Sequence, residues 1–424
     1  MVDQGRRRAP EGGDLGGLGT VSGAHHLTGG LSPQPGPAVT VPGVGEENIA
    51  RYVDLLLSGA LARRASDIHV EGGQEQGRVR FRIDGLLRTV DRPPAGLRGR
   101  VVARLKVLGG LDIAERRLPQ DGRLQVTLPD AGTVDFRIST LPTVSGEKVV
   151  LRVVDNGMQR RALSSLGMLP EQLHLFEQAL SRPQGLILVT GPTGSGKTAT
   201  LYAALSRLNT EARNIATVED PVEAMLDGVN QVQRNARAGL DFSVALRALL
   251  RQDPDVLMIG EIRDQETAAI AVKAAQTGHL VLSTLHTTDA PRAVTRLLDM
   301  GVSGYNLAAS LSLVVAQRLV RCLCPQCRRQ RIAIGEQAVG EASGLHWEAV
   351  GCSGCDQGFR GRTGIYQVMP FDALMADRMV ADGHGASLSA LSRQAGVLDL
   401  WQAGMVKVQS GVTTMEELER VTTL

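Results

Sequence analysis

The sequence predicts an α/β protein in which a doubly wound, largely parallel sheet follows a smaller α+β domain. Between Leu166 and Val320, apolar segments of strand length alternate with segments of helical periodicity, as in a parallel sheet with helices on both faces. Between residues 46 and 155, an amphipathic helix precedes short segments in which apolar and polar residues alternate, a pattern that favours half-buried strands. After Val320 the chain predicts a cysteine-rich segment and then helices.

Composition and charge limit the partners of this chain. A length of 424 residues predicts about two or three domains. Aromatic residues make up 3% of the chain and its net charge is +2. The sequence therefore offers few aromatic side chains for stacking on bases and no strong positive charge, which disfavours direct binding of nucleic acid. No uninterrupted apolar stretch is long enough to span a bilayer, and no apolar signal core follows Arg6-Arg7-Arg8. We therefore expect a cytoplasmic protein that reaches a membrane only through a partner.

The N-terminal part divides into a tail, a small domain and a linker. Residues 1–44 are rich in Gly and Pro without periodicity, which predicts a disordered tail. Residues 45–155 form the small α+β domain, and Asp84-Gly85 predicts a hairpin turn within it. The periodic spacing of apolar residues is lost over residues 156–165, which predicts a linker. The first helix of the domain gathers its apolar side chains on one face: Ile49, Tyr52, Val53, Leu56, Leu57, Ala60 and Leu61.

A phosphate-binding loop opens the second domain. The apolar run 186–189 predicts a buried strand before the loop, and a helical pattern follows, which is the context that the motif requires. Backbone N–H groups and a helix N-terminus favour phosphate oxygens there. We expect Lys197 to reach the β- and γ-phosphates of ATP and the Thr198 hydroxyl to ligate Mg²⁺. The pattern G-x-x-x-x-G-K-[ST] is met at every position: Gly191, Pro192, Thr193, Gly194, Ser195, Gly196, Lys197 and Thr198.

Two acidic residues follow two further predicted strands. Glu219 follows the apolar segment 214–218, and Glu261 follows segment 256–260. Ligands of open α/β sheets bind at the carboxyl ends of the strands, so both carboxylates are expected to face the phosphate-binding loop. A carboxylate there holds Mg²⁺ through water or orients the attacking water. Either acid alone fits a solvated strand end, but two of them downstream of a phosphate loop favour a catalytic role. Gly260 stands where a conventional Walker B strand ends in Asp.

Further polar side chains are candidates for contact with phosphate. His286 lies at the end of an apolar strand, which makes it a candidate sensor of the γ-phosphate, and His279 at the start of that strand is a weaker candidate. Arg247 and Arg251 are spaced i and i+4 on a helix. Two interpretations are open: the arginines are solvated surface charges, or they reach a phosphate across a subunit boundary.

Four cysteines predict a structural metal site. Cys324, Cys327, Cys352 and Cys355 form two C-x-x-C pairs with 24 residues between them. Four thiolates suit a closed tetrahedral Zn²⁺ site, and a spacer longer than the usual window of about 15–20 residues predicts a small insertion. Nothing indicates an oxidising compartment, which disfavours disulfides, and a redox motif needs one pair in a βαβ context. Cys322 remains as a spare thiol.

Together these motifs resemble those of the secretion ATPases that drive type II secretion and type IV pilus assembly. The resemblance covers residues 46–424, and this family also has Gly at the position of Gly260. Related retraction ATPases typically lack the four cysteines, so their presence favours the assembly branch. The matching segments are the aspartate box at 217–223, the Walker B region at 251–264, the histidine box at 277–290, and segments 66–71, 82–85, 118–123 and 146–148 of the small domain.

The resemblance implies an architecture and a set of residue roles. It implies a homo-hexameric ring with ATP between the two domains, in which Glu219 orients the attacking water and Glu261 helps to hold Mg²⁺. Arg123 and Arg137 become candidate arginine fingers, and Arg247 and His286 face phosphate. From its residues alone, Arg137 fits a surface cross-strand ion pair equally well. The implied domains are a PAS-like domain at 45–155, a RecA-like P-loop ATPase core at 166–320, a tetracysteine zinc module at 321–366 and a C-terminal helical region at 367–424.

The implied function is that of a hexameric motor, peripheral at the inner membrane, which powers pilus or pseudopilus assembly through an inner-membrane platform protein. Both secretion and piliation remain open. Many family members carry folded docking domains before the region of Ile49, so here docking is expected to use another surface or another partner. A DNA-uptake or DNA-translocating ATPase of related fold is the alternative, which the neutral charge and few aromatic residues disfavour. Intact Lys197 and Glu261 disfavour a non-catalytic zinc-stabilised scaffold.

Overall fold

The computed structural model describes most of the chain after residue 46. The described residues are 47–73, 76–128, 132–154, 157, 161–332, 345–382 and 387–423. The predicted tail at 1–44 lies outside them, as does part of the predicted linker at 156–165. No helix among these residues is long and apolar enough to cross a bilayer.

The small domain packs two helices against one face of an antiparallel sheet. Its elements are α1 (Glu47–Ala62), β1 (Ala65–Glu71), β2 (Arg78–Ile83), β3 (Leu86–Asp91), α2 (Ala95–Leu108), β4 (Gln120–Leu128), β5 (Gly132–Leu141) and β6 (Lys148–Val153). Within the described residues the sheet has the order β3-β2-β1-β6-β5-β4, with antiparallel neighbours throughout. This is the predicted combination of an amphipathic helix with alternating strands.

The sequence patterns of this domain explain its packing. Val53 and Leu56 of α1 are fully buried, as their shared face predicts. Asp84 and Gly85 have φ values of 47° and 91°, the positive angles of the predicted tight hairpin turn. Phe136 of β5 points into the core, so its neighbour Arg137 lies on the opposite, polar face of the sheet.

The second domain is built on a larger sheet. Its elements up to residue 323 are α3 (Pro170–Leu180), β7 (Gly185–Thr190), α4 (Lys197–Leu208), β8 (Ile215–Glu219), β9 (Val229–Gln233), α5 (Phe242–Leu249), β10 (Val256–Ile259), α6 (Gln265–Gln276), β11 (Leu280–Leu285), α7 (Ala290–Asp299), α8 (Gly304–Ser310) and β12 (Leu311–Leu323). The elements after it are β13 (Arg329–Ile332), β14 (Leu345–Glu348), β15 (Phe359–Pro370), α9 (Ala373–Asp382), α10 (Leu388–Gln394), α11 (Leu400–Gln409) and α12 (Met415–Thr422).

The order of this sheet, over the described residues, is β15-β12-β7-β11-β10-β8-β9. All neighbouring strands are parallel except β12 and β15. Leu186 and Leu188 of β7 enter one core with α5, α6 and α7, while Ile187 and Val189 enter a second core with α3 and α4. Both faces are therefore covered by helices, and the predicted doubly wound arrangement is confirmed. The carboxyl ends of β7, β11, β10 and β8 meet along one edge.

The structure differs from the predicted architecture at β15. The sequence assigned residues 359–366 to the cysteine module and ended the core sheet at Val320, whereas β12 continues to Leu323 and β15 returns antiparallel beside it. Ile365 and Tyr366 are buried because this edge strand is covered by α3, α7 and α11. The glycines and arginines at 360–364 hide the strand pattern in the sequence. The cysteine module itself carries the small antiparallel pair β13–β14.

Candidate active site

The phosphate-binding loop connects the end of β7 to the first residue of α4. Gly191 and Gly196 have φ values of 151° and 91°, which favour glycine. A Cβ at Gly191 would lie 2.5 Å from the carbonyl oxygen of Gln317, so the loop also needs glycine for its close approach to β12. Lys197 Nζ donates to the carbonyl oxygens of Gly191 at 2.8 Å and Pro192 at 3.1 Å. The ammonium group therefore lies across the mouth of the loop, as the motif predicts.

Two hydroxyl groups of this loop fit a phosphate and its metal ion. Ser195 Oγ is buried without a hydrogen-bond partner, a costly arrangement that a ligand oxygen would relieve. The Thr198 side chain is half-buried, and its hydroxyl makes no hydrogen bond to any residue the structure describes. Together with Lys197, these groups form the donor and ligand set that an Mg²⁺–nucleotide requires.

Lys197 and Glu261 lie within electrostatic reach of one another. The pKa of Lys197 is lowered to about 8, because burial and the nearby charge of Arg318 lower it more than the charge of Glu261 raises it. Burial alone would raise the pKa of Glu261, but Arg263 and His286 lower it overall, so this carboxylate is charged at neutral pH. The phosphate-binding loop thus lies near a charged carboxylate that is hydrogen-bonded to Arg263.

Neighbouring strands bring the predicted side chains to this edge. β10 ends just before Glu261, and β11, which lies between β10 and β7, ends just before His286. His286 Nε2 lies 3.4 Å from Glu261 Oε2. The histidine side chain is 49% exposed and the glutamate 17% exposed, so both can contact a ligand at the strand ends.

Glu219 has a different environment from Glu261. It is 3% exposed at the end of β8. Its Oε2 accepts a hydrogen bond of 2.5 Å from Tyr202 Oη, and its Oε1 accepts bonds from Thr217 Oγ1 at 2.6 Å and Gln231 Nε2 at 3.1 Å. The sequence placed both acids at the same edge but could not show that one of them is buried within a side-chain network.

The position of Gly260 explains the departure from a conventional Walker B strand. Its N–H donates to the carbonyl oxygen of Val218 at 2.8 Å. A Cβ at residue 260 would lie 3.3 Å from that oxygen, which is tighter than most Cβ contacts, and 3.4 Å from the Glu219 Cα, at the limit of ordinary van der Waals contact. An aspartate there would press on the segment that positions Glu219.

The small domain reaches the core through Arg137. Its Nη1 lies 2.8 Å from Glu223 Oε2 and its Nη2 donates to the carbonyl oxygen of Val222 at 2.6 Å. Arg123 lies directly opposite Arg137 on the neighbouring strand. The Arg123 side chain is exposed and has no ion pair among the described residues. Both candidate arginine fingers therefore share one face of the small domain, and Arg137 contacts the loop that follows Glu219.

The remaining candidates have partners outside the phosphate-binding loop. Arg247 forms an exposed ion pair with Glu266 of α6, and Arg251 donates to the Arg247 carbonyl oxygen at 2.8 Å. Within this chain the pair matches the surface-charge alternative. His279 Nδ1 lies 3.0 Å from the Ala274 carbonyl oxygen, which gives this histidine a structural role at the start of β11.

Sequence reasoning missed two polar residues of β12, of which Gln317 supports the phosphate-binding loop. Gln317 Nε2 donates to the Ser195 carbonyl oxygen at 2.6 Å, and its Oε1 accepts from Thr200 Oγ1 at 2.8 Å. Arg318 is 5% exposed and donates to the Thr288 carbonyl oxygen at 2.9 Å. A Gln-Arg pair within an otherwise apolar buried strand was the feature that could have identified them.

Gln367 of β15 also contacts a neighbouring element of the core. Its side chain is buried, and its Oε1 accepts a hydrogen bond of 2.9 Å from the Ala290 backbone N–H at the start of α7. This bond ties the first turn of α7 to the edge strand β15.

The four predicted cysteines come together in one cluster. The Sγ atoms of Cys324, Cys327, Cys352 and Cys355 all lie within 4.8 Å of one another, with separations of 3.8 Å for the first and third and 3.7 Å for the second and fourth. A Zn–S distance of about 2.3 Å sets the edges of a sulfur tetrahedron at about 3.8 Å. The arrangement fits a tetrahedral zinc site, and Cys322 is not part of it.

The cysteine module and the start of β15 also contact the small domain. Asp356, next to Cys355, forms an ion pair of 3.0 Å with Arg88 of β3. The Gly361 backbone N–H donates to Asp84 Oδ2, at the tip of the β2–β3 hairpin, with a distance of 2.8 Å. The small domain is therefore attached to the core at this hairpin as well as through Arg137.

A glycine-rich loop between a buried parallel strand and a helix, with its lysine and an acid at a nearby strand end, defines a P-loop nucleotide hydrolase. The comparisons with known proteins narrow this class. The chain belongs to the family described as "Type II/IV secretion system protein", whose model matches residues 43–420.

Three curated relatives are similar over most of the chain. The chain is 48% identical to the "Type IV pilus assembly ATPase PilB" of Acinetobacter baylyi over 387 residues, which cover 89% of this chain and 67% of that protein. It is 52% identical to the "Protein transport protein HofB homolog" of Escherichia coli, covering 90% and 84%. It is 48% identical to the "Type II secretion system protein E" of Dickeya dadantii, covering 89% and 77%.

A solved structure supports the fold independently. The ATPase DotB of Legionella pneumophila is 20% identical, with a TM-score of 0.66, and the match covers 88% of this chain and 95% of that one. At this identity the likeness shows the α/β ATPase fold.

Proposed function

We propose that this chain is an Mg²⁺-dependent ATPase that acts as a homo-hexameric motor for type IV pilus or type II pseudopilus assembly. The observation that carries the proposal is the phosphate-binding loop facing charged Glu261, with His286 at the adjoining strand end. The names of relatives 48% identical to this chain, one for pilus assembly and one for type II secretion, support the two biological settings.

The proposed chemistry is positioning and charge stabilisation. Lys197 and the loop N–H groups bind the β- and γ-phosphates, and Thr198 and Glu261 hold the metal ion. Mg²⁺ supplies charge that neutralises the phosphate oxygens. Glu219 orients the attacking water, and His286 contacts the γ-phosphate. Each role places a charge where the transferred phosphoryl group develops charge.

The small domain completes the proposed site with arginines. Arg123 and Arg137 lie on one sheet face, and Arg137 already contacts the loop after Glu219. A modest rearrangement of this loop would free the Arg137 guanidinium for a phosphate, which binds arginine strongly in a bidentate manner. Arg247 is proposed to act across a subunit boundary in the hexamer, since within one chain it pairs with Glu266.

Zinc has a proposed structural role. Four thiolates leave no open coordination position for a substrate, so the metal would hold the two C-x-x-C turns together. The module lies between β12 and β15 and contacts the hairpin of the small domain. We therefore expect zinc to stabilise the attachment of the small domain rather than to take part in catalysis. The PAS-like description of the small domain is part of this proposal.

The proposed site of action is the cytoplasmic face of the inner membrane. ATP is available on that side, and an inner-membrane platform protein would transmit the motion of the motor. Direct nucleic-acid contact is not part of the proposal, because the net charge is +2 and aromatic residues make up 3%. DNA binding that is salt-sensitive and stimulates turnover would instead favour the DNA-translocating alternative.

The proposal is tested by phosphate release from purified full-length protein with and without Mg²⁺, and by its mass in solution with ATP. We expect Mg²⁺-dependent turnover by a hexamer, which is lost in Lys197→Ala. Turnover that persists in Lys197→Ala would come from a contaminant. A wild-type protein that binds no ATP would overturn the proposal.

A further inference from the structure

Tyr202 lies at the centre of a buried hydrogen-bond network beside the phosphate-binding loop. It is on α4, one turn beyond Thr198, and is fully buried. Its hydroxyl donates to Glu219 Oε2 at 2.5 Å and accepts from the backbone N–H of Glu223 at 3.2 Å. One oxygen thus joins the P-loop helix, the predicted water-orienting acid and the loop that holds Arg137.

Three donors among the described residues bind the Glu219 carboxylate. A carboxylate offers about four lone-pair sites. Thr217 and Gln231 occupy the two sites of Oε1, and Tyr202 occupies one site of Oε2. The Tyr202 bond thus fixes the direction of the second lone pair of Oε2. A water molecule that donates to this lone pair would be oriented by the carboxylate.

The chemistry of the tyrosine suits this task. Burial, together with the bond to Glu219, raises the pKa of Tyr202 well above its ordinary value, so the hydroxyl remains a donor throughout the neutral range. Among the described residues, Tyr202 is the one ionisable side chain that is hydrogen-bonded to Glu219. Phenylalanine would fill the same space without the donor.

We propose that Tyr202 is a positioning residue for ATP hydrolysis, which fixes the Glu219 carboxylate for the attacking water and links it to the Arg137 loop. The inference rests on the proposed ATPase function and on the water-orienting role of Glu219. It adds a residue of α4 to the site and explains why Glu219 can be buried and still act: one oxygen site stays free while the others are fixed.

The test is the Tyr202→Phe variant of the full-length chain, with Tyr366→Phe as the matched control. Tyr366 is also buried in the same core, and its hydroxyl donates to the Leu166 carbonyl oxygen at 3.1 Å, so this change removes a buried hydroxyl elsewhere. We expect Tyr202→Phe to lower kcat by about 10- to 100-fold with ATP affinity within about threefold. Tyr366→Phe should keep kcat within about twofold, whatever either change does to the melting temperature.

A double-mutant cycle with Glu219→Gln separates positioning from general loosening of the structure. If Tyr202 acts through Glu219, the loss caused by Tyr202→Phe should vanish in the Glu219→Gln background, as measured by single-turnover phosphate release.

Three outcomes are decisive. Wild-type kcat in Tyr202→Phe, or an equal loss in both backgrounds, overturns the positioning role while the ATPase proposal stands. Wild-type turnover in Glu219→Gln removes the role of Glu219 and this inference with it, again without affecting the ATPase proposal. Absence of ATP hydrolysis by the wild-type protein defeats the proposed function itself.

Discussion

Arg137 of the small domain and Glu223 of the core form an ion pair in which Nη1 lies 2.8 Å from Oε2. The arginine side chain is 22% exposed and the glutamate 35%, so solvent screening limits the pair to about 0–1 kcal/mol. A γ-phosphate carries more charge than Glu223 and offers bidentate geometry, so it can compete for the same guanidinium. The pair therefore defines where Arg137 rests before it would act on phosphate.

Arg137→Ala is expected to leave ATP affinity within about threefold and to lower kcat by about 10³-fold, because an arginine finger acts mainly on transition-state charge. Glu223→Gln removes the competing charge, so kcat should be unchanged or raised by up to about fivefold. Steady-state phosphate release and nucleotide titration measure both. Equal losses in the two variants would show that the ion pair is a structural bridge and that Arg137 is no finger.

Glu219→Gln is expected to spare ATP binding and to lower kcat at least about 100-fold, since the amide cannot orient water as the carboxylate does. Glu261→Gln is the comparison: it should raise the Mg²⁺ concentration needed for half-maximal turnover. Titrations of ATP and Mg²⁺ against phosphate release distinguish the two roles. If Glu219→Gln keeps the wild-type rate and Glu261→Gln loses turnover at saturating Mg²⁺, the water-orienting role belongs to Glu261.

Nucleotide affinity should weaken above about pH 8. Burial lowers the pKa of Lys197 to about 8, and only the protonated ammonium binds phosphate well. Affinity should therefore be constant below that pH and fall by up to about tenfold per pH unit above it. The same shift affects stability. The pKa of Lys197 is about 8 in the folded protein and about 10.4 in the unfolded chain, so between these values the unfolded chain binds more protons. The free energy of unfolding should therefore rise with pH over this range.

Fluorescence titration with a labelled nucleotide between pH 7 and about 9.5 checks this dependence. Lys197→Arg, which stays protonated, is the control for other groups. Glu261→Gln should move the break to lower pH, because the Glu261 charge raises the pKa of Lys197. A wild-type affinity that is flat over this range would contradict the prediction.

Purified protein should contain about one Zn²⁺ per chain, bound by the four clustered thiolates. Cys324→Ser and Cys355→Ser should lose the metal and lower the melting temperature, since one ligand of the tetrahedron is removed in each. Cys322→Ser is the matched control and should retain the metal, because its thiol is not part of the cluster. Elemental analysis of protein prepared without chelators measures the content, and protein free of zinc would rule the site out.

The sequence predicted those features that repeat along the chain or match a short motif. The phosphate-binding loop, the hairpin at Asp84-Gly85 and the buried face of α1 follow from local patterns, and the structure has them where they were expected. The grouping of residues at the strand ends could also be predicted, because the carboxyl ends of parallel strands lie at one edge of the sheet. Glu261 and His286 met there as predicted.

Features that depend on contacts distant in sequence could not be predicted. Glu219 and Tyr202 are 17 residues apart, and nothing in their spacing shows that the acid is buried beneath the tyrosine. Arg137 and Glu223 are 86 residues apart and lie in different domains. The pairing of β15 with β12 was missed because glycine and arginine interrupt its apolar pattern, although the completed sheet buries it.

The ends of the cysteine module are held by the core sheet itself. Leu323 and Phe359 face one another across β12 and β15, so the chain leaves and re-enters the sheet at points about 5 Å apart. The entropic cost of closing such an excursion grows only slowly with its length. A longer or shorter connection between these two points would therefore leave the pairing of β12 with β15 unchanged.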